Sequence, residues 1–173
     1  MVDPSRHAAD RDFVESILRH VPGFRGYLEQ EYRRESDHLM RAWLANRLQV
    51  SKRGLDEYLQ TLVAAMKLDD LPNFERVRAK LDGLIGKLRT AERGYSAALA
   101  FVRIREDELD RVYQLDQGLV DETEALAGAL EKVSSVDASP AGAATALIRQ
   151  IDELDKLCAQ RADILRGTDE PSP

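Results

Sequence analysis

The chain has 173 residues and a formal charge of −6, with 43% hydrophobic and 32% charged residues. That balance is not the composition of a disordered chain, and it supplies enough apolar side chains for one ordinary domain with its own core. It also argues against nucleic acid as the main partner. Phosphate contacts need a concentrated Lys/Arg face, and runs such as Arg33-Arg34 and Lys52-Arg53 are flanked by carboxylates.

Aromatic residues make up only 6%, so the core must be built mostly from Leu, Val, Ile and Ala. The one cysteine, Cys158, leaves no intramolecular disulfide, which suits a reducing compartment. The N-terminal MVDPSRHAADRDF has no apolar run of the signal-peptide kind, and stretches such as Ala97 to Val102 are too short to cross a bilayer. A cytoplasmic location is the expectation.

The first expected element is a leading helix over 8–20, with Phe13, Val14, Ile17 and Leu18 at helical spacing. Pro22 and Gly23 end it, and Val21, preceding a proline, is pushed away from helical angles. A second helix is expected from about Gly26. Leu28, Tyr32, Leu39, Trp43 and Leu44 form its apolar stripe, with Met40 and Leu48 beside it. Gly54 interrupts the pattern before Leu55, Tyr58, Leu59, Leu62, Val63 and Met66 continue it. One glycine costs a helix only about 1 kcal/mol, so a single long helix to Lys67 is expected. Asp70 then serves as an N-cap with Pro72 in the first turn. The next helix carries Phe74, Val77, Leu81, Leu84, Ile85 and Leu88 and stops at Gly94. The short connection makes 27–93 an antiparallel hairpin.

Residues 95–105 read equally as a short helix or as extended chain. A clear helix resumes near Glu106 with Leu109, Val112, Leu119, Leu126 and Leu130 on a seam close to a heptad. Asp116 and Thr123 fall on that seam, where polar residues often fix register. Ser139 and Pro140 start the last helix, which bears Leu147, Ile151, Leu154, Cys158 and Leu165 and closes at Gly167. This gives a second hairpin over 106–166, and the tail 168–173 is expected to be disordered. The fold class is all-α: a single helical domain over 1–167, a coiled-coil-like bundle of five to six helices built from two antiparallel hairpins.

Few residues point to chemistry. Glu35 and His38 form an E-x-x-H pair that shares a helix face, the spacing by which ferritin-like proteins hold iron or manganese, with Glu31 one turn earlier. Such a site needs a second pair, and neither His7 nor His20 has a glutamate three residues before it. Glu29–Arg33 and Asp37–Arg41 stand at i,i+4 with the acid first, the order that supports a surface helix. Arg33, Arg34 and Arg41, with Trp43, are alternatively a recognition face for an acidic partner. Cys158 lies on an apolar stripe and reads as a core residue. Gly83 and Gly86 lack the lysine and threonine of a phosphate loop. The apolar face of the leading helix offers a membrane-docking alternative, although its polar face is not basic.

The segments VPGFRGYLEQEYRRESDHLMRAWLANRL, AERGYSAALAF and EDELDRVYQLDQGLVDETEALAGAL resemble a family of uncharacterised bacterial helical proteins. The matching positions are Pro22, Gly23, Phe24, Gly26, Tyr27, Arg33, Arg34 and Asp37, then Ala91, Gly94, Tyr95, Leu109, Asp110 and Tyr113. The resemblance spans roughly Val14 to Val133 and implies helices and a bacterial source, without a reaction or a ligand. The expected function is non-catalytic: a scaffold or protein–protein interaction module. It needs no cofactor and binds a protein partner or itself through the seam of the last two helices. The structural turns are Pro22, Gly23, Gly26 and Gly94. A metal protein using Glu31, Glu35 and His38, and a peripheral membrane protein, are the alternatives.

Overall fold

The computed structural model describes residues 12–90, 105–135 and 139–167. Every regular element among them is helical. Helix α1 covers residues 12–18 of the expected leading helix, whose earlier residues lie outside the described ones. Four longer helices follow: α2 (Gln30–Ala64), α3 (Leu71–Thr90), α4 (Glu106–Glu131) and α5 (Pro140–Arg166).

The four helices form a ring in which α2 packs against α3 and α4, and α5 packs against the same two. Side-chain pairs give the directions. Lys52 meets Asp82 and Asp56 meets Arg78, so α2 and α3 are antiparallel. Arg47 on α2 reaches Glu124 at 3.0 Å and Glu131 at 2.6 Å, and Gly54 lies against Leu130, so α2 and α4 run parallel. On α3 and α5, Lys80 pairs with Asp152 and Lys87 with Asp155, again in parallel. Two hairpins are thus laid side by side, with the first and third long helices as neighbours.

The seam on α4 is buried along its whole length. Leu109, Val112, Asp116, Leu119, Thr123, Leu126 and Leu130 are all at most 6% exposed. A heptad pattern buries one stripe continuously because seven residues nearly complete two helical turns. These positions are spent on the chain's own core.

The stripe on α2 is rotated from the one the sequence suggests. Met40, Leu44, Leu48, Leu55, Leu59 and Leu62 are buried, while Leu28 is 57% exposed and Tyr32, Leu39 and Trp43 are half-buried. The reason is that Asp37 and Ser51 also occupy the buried face, so hydrophobicity alone misplaces its centre. The helix begins at Gln30, not near Gly26, because residues 27–29 bend to bring Tyr27 inward. It runs unbroken through Gly54, where an added Cβ would meet the Leu130 carbonyl oxygen at 2.5 Å and Glu131 Cα at 2.8 Å. That glycine serves close approach of α2 and α4.

Helix α2 ends at Ala64, before Lys67. The Lys67 amide donates to the Leu62 carbonyl at 2.9 Å and the Met66 amide to the Val63 carbonyl at 3.0 Å. This is a Schellman termination, with Met66 at φ +57° where glycine is usual. A 3₁₀ turn, Leu68–Asp70, leads straight into α3 with Pro72 in its first turn. Helix α3 is described to Thr90, so Gly94 and the 95–104 stretch lie outside the described residues, as does the tail 168–173. At α5, Ser139 Oγ accepts a hydrogen bond from the Gly142 amide at 3.2 Å and Pro140 is the first helical residue. Gly167 closes the helix at φ +68°.

Candidate functional site

The bend between α1 and α2 positions the first part of the site. Gly23 and Gly26 adopt φ +88° and +80°, angles that L side chains resist. At Gly26 a Cβ would collide with the Tyr113 hydroxyl. The close approach lets the Tyr27 amide donate to Tyr113 Oη at 3.0 Å. Phe24 and Tyr27 drop into the core at 1% and 0% exposure, with Phe13 of α1 stacked on Tyr113.

Beneath this bend lies a buried polar network. Arg161 of α5, 3% exposed, is its hub. Its Nη1 donates to Asp37 Oδ1 of α2, its Nε to Asp116 Oδ1 of α4 and its Nη2 to the Tyr27 hydroxyl, each at 2.5 Å. The Tyr27 hydroxyl donates in turn to Asp116 Oδ2 at 2.6 Å. Arg41 donates to Asp37 Oδ2 at 2.9 Å and to the Leu88 carbonyl oxygen near the end of α3 at 3.1 Å. Two cations and two carboxylates therefore balance inside the bundle and tie all four long helices together at one end.

Burial dominates the electrostatics of the network. Burial pushes the Asp116 carboxyl up, against the opposing pull of Arg161 and Tyr27. Burial also raises the Tyr27 phenol well above its ordinary range. The Cys158 thiol nearby is pushed up to about 12 by the same cause, which keeps it protonated and a poor nucleophile.

The opposite end of the bundle is different in kind. There the α2–α3 turn exposes Val63 at 52%, Met66 at 75% and Leu68 at 50%. Beside them a shallow groove runs over Leu59, Ala64 and Leu71, edged by Asp56, Glu75 and Arg78.

The residues singled out by sequence fall in several places. Arg41 is corrected: it is 9% exposed and belongs to the buried network, and its pair with Asp37 is internal rather than on the surface. Arg33 donates through Nε to the Tyr27 carbonyl oxygen at 2.6 Å. Arg34 is exposed, and Trp43 is half-buried with its ring edge-on to His20. These four do not make one recognition face. Glu35 and His38 point to solvent, whereas a carboxylate-bridged metal site projects into the bundle. The Glu31 side chain lies outside the described ones, and among the described residues no three His, Cys, Asp or Glu side chains are grouped to hold a metal. Of the apolar face proposed for membrane docking, Ile17 and Val21 are buried, Phe13 and Val14 half-buried, and Leu18 is 39% exposed. No described helix is long and apolar enough to cross a membrane.

Sequence reasoning missed Arg161 and the exposed turn. Arg161 carried a signal: it lies seven residues after Leu154 and four before Leu165, on the apolar stripe of its helix. A cation there demands a buried anion, and Asp116 on the α4 seam was the available one. No protein-family model, no curated protein and no solved structure matches this chain.

Proposed function

We propose that this chain is a non-catalytic interaction module of the cytoplasm, a bacterial helical bundle that offers its α2–α3 turn to a partner protein. The observation that carries the reading is Met66. It adopts left-handed backbone angles at φ +57° while 75% exposed, between exposed Val63 and Leu68. Left-handed geometry costs a non-glycine residue about 1–2 kcal/mol, and glycine would fill the same Schellman position without that cost. A flexible thioether held at an exposed apolar tip suits an adaptable contact surface. At the other end, the buried network holds the helices in fixed register, which is what a scaffold requires.

The test places a photoreactive amino acid at Met66 and crosslinks in native lysate. A discrete crosslinked protein is expected, and it should vanish when Val63 and Leu68 are both changed to Asp, with the melting temperature unchanged. Absence of any crosslink at the turn, alongside a strong one elsewhere, rejects this surface as the contact.

A further inference from the structure

Near the braced end, α3 and α5 part to leave a cleft of about 300 Å³ that opens to solvent. Its floor is apolar: Leu44 from α2, Leu84 and Leu88 from α3, Leu119 from α4 and Ala162 from α5. Arg41 forms part of the wall. A guanidinium carries five N–H donors and accepts nothing. Arg41 directs Nε to Asp37 and Nη1 to the Leu88 carbonyl oxygen. Its Nη2 donates no hydrogen bond among the described residues, yet it is not one of the buried atoms left without a partner. Those two N–H groups are therefore open to the cleft that Arg41 lines.

Lys87 and Arg166 stand at the rim and Arg161 behind Arg41, against Asp37, Asp155 and Asp163. Arg161 is already taken by Asp116, Asp37 and Tyr27, so the charges left in the lining are even and the open N–H groups of Arg41, not an excess of cations, would orient a head group. Small-molecule sites are concave and mostly apolar, with a few polar groups that fix orientation, and this cleft has that composition.

We propose that the cleft binds a small amphiphilic carboxylate, its alkyl body on the leucines and its head group on Nη2 of Arg41. The volume holds about ten water-sized groups, which matches a medium-length alkyl chain. The rim lysine adds attraction, although its pairing with Asp155 at 2.5 Å tempers it.

The probe is sodium decanoate, titrated below its micellar concentration into the full-length protein and followed by amide chemical shifts. Shifts are expected on α3 around residues 84–88 and on α5 around 158–162, with 1-decanol binding more weakly. Ala159 is exposed and lines the cleft, so Ala159→Trp fills the space without disturbing the core and should weaken decanoate about tenfold or more, beyond the loss of one hydrophobic contact. Lys87→Glu, at a side chain 66% exposed, should weaken decanoate about threefold and leave decanol unchanged. Equal binding of decanol and decanoate overturns the proposal. So do shifts that map outside the cleft, or wild-type affinity in Ala159→Trp.

Discussion

Arg161 Nε and Asp116 Oδ1 meet at 2.5 Å across the α4–α5 interface, with side chains 4% and 0% exposed. An ion pair so deep is costly to bury and costlier to break, because either partner alone is left as an uncompensated charge. Arg161→Leu strands Asp116 and leaves Asp37 with Arg41 alone, and is expected to lower the unfolding free energy by about 3–5 kcal/mol in urea denaturation. Adding Asp116→Leu to Arg161→Leu should recover part of that loss. A double variant less stable than the single one contradicts the pairing.

Two helical glycines should respond in opposite directions. Gly54→Ala drives a methyl into the α4 backbone at Leu130 and Glu131, which cannot yield as a side-chain tip can, and should cost about 1–3 kcal/mol. Gly83 has nothing within 4 Å of its would-be Cβ. Gly83→Ala should therefore stabilise by about 1 kcal/mol through helix propensity. Paired thermal melts check both signs.

Met66→Gly relieves the left-handed backbone at the α2–α3 turn. The glycine also gains freedom in the unfolded chain, so the net stabilisation should be about 0.5–1 kcal/mol. Chemical denaturation measures it, and a loss of stability would mean that the Met66 side chain does more for the fold than its 75% exposure indicates.

Cys158 makes a pH prediction. Its folded pKa of about 12 lies above the unfolded thiol value of about 8.5. The folded state thus holds its proton longer than the unfolded one. Stability from this group is fully present below about pH 8.5 and is lost as pH rises toward 12. Cys158→Ala should show a shallower alkaline decline than wild type in urea melts taken from pH 8 to 11. Identical slopes would place the thiol in a wetter environment.

Much of the architecture was legible in the sequence. The heptad seam on α4, the Ser139-Pro140 start and Gly167 stop of α5, and the continuity of α2 past Gly54 all express local rules: periodicity, capping and backbone freedom. Where these rules met a buried charge they failed. Hydrophobicity alone centres the α2 stripe on Leu39 and Trp43 because it places Asp37 and Arg41 in solvent, and it hides Arg161 for the same reason, although all three are buried.

The order of residues along the chain determined that the described elements are helical, where α5 starts and stops, and which apolar side chains of α3 and α4 sit inside. Which polar residues accompany them was decided only when four helices came together. A single arginine is tolerable in a core once carboxylates from two other helices, far apart in the chain, reach it at hydrogen-bonding distance. That distance is a property of the assembled ring and of no local stretch.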